Sequence, residues 1–289
     1  MNEIYIHDFS AYAGEPDVDL QRLKEAVSRY TRVNFRRGNR FILLALLGAC
    51  QCLRGRPVAP ETAIYLTTEH GNLGETAAVL DEIYAAHSLP KPYGFINTMS
   101  GTAAFYLAQT LGTRGRSITV SSRDLSFERG LELLKSDFAG GAEKSALIGG
   151  VDEASLSGEN GAQEGHRGWS AVDGSGWFHL KVEREGACGA FGANRSFWDA
   201  PSGIEWIRNR GAAPDLLSFG ALVGEDEAAA WTAALRPAAG FDYLRDAGYC
   251  GSATACGIGR FMERFPGRSL LHINRDRRGS YVLLEVERY

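Results

Sequence analysis

Between residues 117 and 150 the spacing of apolar positions changes period twice. Ile118 and Val120 alternate with Thr119 and Ser121, a two-residue repeat that predicts a short strand. Ser122, Asp124 and Ser126 then offer helix-capping side chains. Phe127, Leu131, Leu134 and Phe138 follow at steps of four, three and four, which predicts a helix with one apolar stripe. Gly140-Gly141 breaks that helix, and Ala146, Leu147 and Ile148 predict a buried strand closed by Gly149-Gly150. Enzymes often mount a nucleophile on strand, tight turn, helix and strand, because the turn presents one side chain above backbone N–H groups. The residue at this turn is Asp124.

The rest of the chain alternates in the same way, which predicts an α/β protein. Ile4, Tyr5 and Ile6 predict a short strand followed by a loop through Gly14 and Pro16, and the mostly polar residues 18–31 are expected to cross the surface. Asn39 to Leu53 predicts a buried helix. Its apolar run, Phe41 to Cys50, is too short to span a bilayer. Ala63 to Thr68 predicts a strand, residues 71–86 a loop and helix, and Ala103, Tyr106, Leu107 and Thr110 a further helix. Residues 151–170 are polar and glycine-rich, a surface loop, and a strand starts at Asp173. Beyond it come a helix over Ile204–Asn209, a strand over Asp215–Gly220 and a helix over Glu225–Leu235. A small-residue segment then runs from Tyr249 to Phe261 and Met262, and a hairpin turns between Arg275 and Gly279.

Residues 118–150 resemble the ketosynthases, the condensing enzymes of thiolase fold that extend fatty acids and polyketides. In that family the first strand ends in the acyl-carrying cysteine, and a Gly-Gly follows the next helix and strand. Laying Ile118 to Gly150 on this pattern needs no insertion and puts Asp124 in the cysteine's place. Arg-Gly-Asn-Arg-Phe-Ile-Leu-Leu, from Arg37, resembles the family's early arginine-led helix, and Asp173-Gly-Ser-Gly-Trp the strand that closes its first half. The resemblance implies a layered αβαβα fold. The first half would cover residues 1–195 and a truncated second half 196–289, with strands and tunnel wall missing between about 195 and 205.

Composition narrows the function classes. The chain has 289 residues, 44% apolar and 23% charged, with a net charge of −4. Neither the charge nor any basic block favours nucleic acid, and no apolar segment favours a membrane. Five cysteines (Cys50, Cys52, Cys188, Cys250, Cys256) suit free thiols in a reducing compartment, so a cytoplasmic location is expected. Their spacing lacks the company of a zinc site. Gly174-x-Gly176 and the glycines at 186, 189 and 192 open no phosphate-binding helix, and there is no Walker lysine; no cofactor or metal is expected.

Decarboxylative condensation needs a thiolate and two imidazoles. On the resemblance, Phe219 stands in the first histidine's place and Tyr249 in the second's, so all three catalytic positions are replaced. A carboxylate at Asp124 would be favoured by the helix dipole, which makes it a poor base; an N-cap is the plainer reading. Cys250 is a candidate nucleophile without a histidine nearby in sequence, and Ser126 has no evident base. His179 and His272 read as structural and His166 as solvent-exposed.

The resemblance therefore implies a non-catalytic subunit similar to a chain length factor. It would pair as a heterodimer with an active ketosynthase through the strand holding Ile118 and Val120, and meet acyl carrier protein only indirectly. Met99, Thr102, Ala103 and Tyr106 would line the acyl tunnel or the interface. A truncated member without the triad looks most like those of aryl polyene-type type II polyketide systems. A thioester hydrolase or acyltransferase using Asp124 or Cys250, and a purely structural partner, are the alternatives.

Overall fold

The structure, a computed structural model, describes residues 3–16, 18–33, 35, 37–154, 168–211 and 213–289. Among these residues the strands are β1 (Ile4–Gly14), β2 (Ala63–Thr67), β3 (Ser117–Val120), β4 (Ser145–Asp152), β5 (Asp173–Lys181), β6 (Gly189–Phe197), β7 (Leu216–Phe219), β8 (Ala239–Gly240), β9 (Ser269–Arg275) and β10 (Tyr281–Arg288). The helices are α1 (Leu20–Ser28), α2 (Arg40–Leu53), α3 (Leu73–Tyr84), α4 (Pro92–Asn97), α5 (Gly101–Leu111), α6 (Ser126–Ala139), α7 (Ala200–Arg208), α8 (Glu225–Leu235), α9 (Tyr243–Ala247) and α10 (Ala253–Arg264). No helix among the described residues is long and apolar enough to cross a membrane.

The strand order is β3-β2-β4-β5-β1-β6-β10-β9-β7-β8. From its outer edge each half runs third, second, fourth, fifth, first strand, so the second half repeats the topology of the first. The halves meet where Ile4, Tyr5 and Ile6 pair with Phe191, Ala190 and Gly189. β6 passes to α7 with only two residues between, and all five strands of the second half are present. Its shortness relative to the first half thus lies in helices and connections, and the expected missing strands near 195–205 are not needed to complete it. The expected division after residue 195 falls inside β6.

Side-chain alternation along the strands builds the five layers, because successive residues point to opposite faces. In the first half Tyr65, Ile148 and Phe178 enter a central core, while Ile64, Leu66, Leu147 and Trp177 enter an outer core under α1, α2 and α5. In the second half Leu216, Leu270 and Leu284 face the centre, and Leu217, Leu271 and Leu283 face α7 and α8. The predicted stripe of α6 fills the centre together with α10. Phe127 ties the halves, its ring centroid 5.7 Å from Phe178 and 6.3 Å from Phe191.

Two elements differ from expectation, and one expectation lies outside the described residues. β1 extends to Gly14, since Ser10, polar in sequence, is buried and donates to the Gly48 carbonyl at 2.8 Å. Residues 18–31 contain α1, whose Leu23 and Val27 are buried among polar neighbours. The loop predicted at 151–170 lies largely outside the described residues, and His166 with it.

The glycine pair inside β4 lets neighbours come close on both faces of the strand. A Cβ on Gly149 would overlap the Trp177 ring, and one on Gly150 would come within 2.9 Å of Ser252 and Ala255. Without side chains there, the first turn of α10 can pack against β4, beside the start of α6.

Candidate functional site

β3 ends in a tight 3-10 turn, Arg123–Leu125, that leads straight into α6. Arg123 has φ +50°, left-handed backbone that a non-glycine residue adopts only when its surroundings hold it there. Ser126 supplies part of that hold: its hydroxyl accepts from the Ser122 N–H at 2.9 Å and donates to the Arg123 carbonyl at 2.7 Å. Asp124 sits at the turn, as expected. It does not cap α6, because its carboxylate turns across to the hairpin between β9 and β10. There Oδ1 accepts from Arg277 Nε at 3.2 Å and Oδ2 from the Arg277 N–H at 3.4 Å.

Tyr249 and Cys250, just before α10, join Asp124 in one cleft with Glu69, Ala221 and Leu222. The expected register of the first histidine position differs in placement. Phe219 ends β7 on the same face as Leu217 and packs in the outer core, whereas Ala221 and Leu222, past the turn at Gly220, face the cleft. The cleft encloses about 20 Å³, room for about one water.

The phenol and the thiol in this cleft are both held in their protonated forms. Burial pushes the Tyr249 phenol far above its ordinary range. A hydrogen bond donated by the Cys250 thiol to Cys256, with burial, pushes its pKa well up, so it stays protonated. Asp124 is committed to Arg277, whose guanidinium also lies 3.9 Å from Glu69.

Under the cleft lies a polar cluster that sequence reasoning did not single out. Glu128, one turn beyond Asp124 on α6, accepts at Oε1 from Asn274 Nδ2 at 2.7 Å and from the Thr254 hydroxyl at 2.9 Å. Asn274 also donates to the Asp124 carbonyl at 3.2 Å, which ties β9 to the turn. His272 Nδ1 pairs with the Ser218 hydroxyl at 2.9 Å. Burial raises the Glu128 pKa and lowers that of His272 to about 3, so the imidazole is neutral. Asp152, at the end of β4, accepts from the Thr68 hydroxyl at 2.7 Å, from the backbone N–H groups of Glu69 and His70 at 3.0 Å, and from Ser252. It thereby joins the loop after β2 to the start of α10. The sequence signal was a charged residue set against an apolar stripe: Glu128 directly follows Phe127, and Asp152 follows a buried strand.

The tunnel and interface candidates divide. Ala103 is fully buried and Tyr106 packs in the outer core, its ring 6.4 Å from Phe35. Thr102 donates to the Ile96 carbonyl at 2.9 Å, and Met99 is exposed. Ile118 and Val120 are half-buried on β3, the terminal strand of the sheet. Phe105, not among the candidates, is 63% exposed on α5, the helix that packs beside β3. Phe95 and Ile96 of α4 are exposed as well.

No protein-family model matches the chain, and no curated protein sequence does. Solved structures match along its whole length. The ishigamide ketosynthase/chain length factor superposes with a TM-score of 0.73 at 15% identity, over 99% of both chains. A type II PKS acyl-carrier protein in complex with its ketosynthase (AntDE:AntF) gives 0.74 at 13%, over 100% of this chain and 99% of that one. The 3-oxoacyl-[acyl-carrier-protein] synthase III of Aquifex aeolicus gives 0.63 at 14%, over 99% and 100%.

The chain has the thiolase fold.

That fold accounts for the repeated halves and for the meeting of α6 and α10 at one site. At these identities the likeness is one of architecture; chemistry is argued from the residues.

Proposed function

We propose that this chain is a ketosynthase-like subunit of the chain-length-factor kind, non-catalytic in condensation. It pairs as a heterodimer with an active ketosynthase, whose tunnel it shapes, in a type II polyketide system such as those making aryl polyenes, and reaches acyl carrier protein through that partner in the cytoplasm. The observation that carries this reading is the cleft itself. The turn that presents a thiol in ketosynthases presents Asp124, already engaged by Arg277, and the space in front of it holds about one water. An acyl chain has neither a nucleophile nor room there.

The apolar face beside the site supports pairing. Among the described residues β3 has a strand on one side only, and α5, which packs beside it, carries exposed Phe105, with Met99, Phe95 and Ile96 exposed in the segment before that helix. An unpaired edge next to exposed aromatic side chains is a surface that another strand and its helices would cover. The similar solved structures include a ketosynthase/chain length factor, which fits the same reading.

Sizing a mixture of the purified chain with its candidate ketosynthase tests the pairing. A one-to-one complex supports it; two independently eluting proteins at micromolar concentrations contradict it.

A further inference from the structure

A second polar array lies on the outer face of the first half-sheet, at the end away from the cleft. β4 runs from Ser145 to Asp152, so Ser145 stands about 23 Å along the strand from the Asp152 end. Beside it, on β5 and β1, are His179 and Asp8, which are directly paired across the two strands. Ser145 Oγ lies 3.1 Å from His179 Nε2, and His179 Nδ1 lies 3.4 Å from Asp8 Oδ2. The other oxygen of Asp8 is held by the Arg56 guanidinium. Thr62 Oγ1 is 3.2 Å from Ser145 Oγ; if Thr62 donates, the serine proton is left for the imidazole. Ser145 is half-buried, while His179 is buried.

We propose that Ser145, His179 and Asp8 form a nucleophilic acyl-transfer site that hydrolyses short-chain esters and thioesters. A hydroxyl within hydrogen-bond reach of an imidazole that is itself oriented by a carboxylate is the arrangement that activates serine, whatever the fold. Ser145 Oγ attacks the acyl carbon while His179 Nε2 takes its proton. The bond to the leaving oxygen or sulfur breaks, and that proton goes to the leaving group. Water, deprotonated by the same nitrogen, then attacks the acyl-serine, releasing the carboxylic acid and returning the proton to Ser145.

Asp8 is a positioning residue, keeping Nδ1–H toward itself so that Nε2 offers its lone pair to Ser145. Burial of His179 lowers its pKa from the ordinary imidazole value and keeps it a neutral base; Asp8 opposes that shift, while Lys181 on its own strand and His7 on β1 add to it. Cys52 of α2 also packs there, against the His179 backbone, and Arg56 and Ser145 complete the surroundings. Arg56 also lines a neighbouring cleft of about 210 Å³ with Tyr30, Leu53, Pro57 and Leu111, a size that suits a short acyl chain.

Treating the full chain with a fluorophosphonate probe and mapping the adduct by mass spectrometry tests the site, alongside p-nitrophenyl acetate hydrolysis. The expected results are an adduct on Ser145 and at least 100-fold slower turnover in both Ser145→Ala and His179→Gln. Asp8→Asn should keep the label, react more slowly and show a pH–rate profile moved to lower pH. Folded wild-type protein that leaves Ser145 unlabelled overturns the proposal, and so does ester turnover unchanged in Ser145→Ala. The labelling arm needs no variant, so a misfolded mutant does not obscure the answer.

Discussion

Asp124 and Arg277 are joined twice, through the guanidinium Nε at 3.2 Å and the backbone N–H at 3.4 Å. The contact ties the turn after β3 to the hairpin between β9 and β10, so one carboxylate joins the two halves of the fold across the mouth of the cleft. A thiol in the same place could accept no comparable pair of hydrogen bonds. On the proposed reading, a structural tie stands where a ketosynthase carries its reactive group.

Replacing Asp124 by Cys should restore no condensation. The variant regains a sulfur, but Ala221, Leu222 and Tyr249 still occupy the cleft where imidazoles would be needed. Losing the pair with half-exposed Arg277 should cost about 1 kcal/mol of stability. Acyl elongation by the purified variant alone, read by mass spectrometry of the carrier-bound product, would sink the non-catalytic reading.

Helix α5 separates folding from pairing. Phe105→Asp alters an exposed side chain and should leave the melting temperature of the isolated chain within about 2 °C, while weakening association with the ketosynthase at least 10-fold. Ala103→Met pushes a large side chain into a filled core and should lower stability by about 1–3 kcal/mol. Equal binding by wild type and Phe105→Asp would remove this face from the interface.

His272 predicts acid lability. Its folded-state pKa is about 3 and its unfolded value about 6.5, so between these the unfolded chain binds more protons. Its contribution is intact above pH 6.5 and lost as pH falls toward 3, with a slope approaching about 1.4 kcal/mol per pH unit. Glu128, its pKa raised by burial, acts in the opposite sense. Urea midpoints at pH 7, 5.5 and 4.5 should therefore fall less steeply in His272→Gln than in wild type. Parallel curves would show that His272 does not titrate as its burial requires.

Much of the architecture was legible because it rests on local periodicity. The alternation at Ile118 and Val120, the stripe from Phe127 to Phe138 and the glycine break before β4 each specify one element, and together they place Asp124 at its turn. What escaped depends on distant partners. Ser10 reads as loop until Gly48 of α2 accepts its proton, and α1 reads as surface because only Leu23 and Val27 are buried along it. The placement of Phe219 turns on strand parity: it shares the face of Leu217, and the turn at Gly220 brings Ala221 inward. Glu128 and Asn274 are 146 residues apart in sequence and 2.7 Å apart in space, a relation that no spacing reveals.

Gly149→Ala tests how tightly β4 and β5 pack on the outer face of the sheet. The added methyl meets the Trp177 ring, so overpacking should cost about 1–3 kcal/mol. A lowered urea midpoint is the expected outcome; unchanged stability would mean that β4 and Trp177 can separate freely.

Elongation assayed with the chain and its ketosynthase separately and together bears most directly on the central claim. The account predicts no elongation by this chain at any concentration, and elongation by the ketosynthase that rises on titration and saturates at one chain per ketosynthase. Ketosynthase activity and product length indifferent to the chain, or condensation by the chain alone, would contradict it.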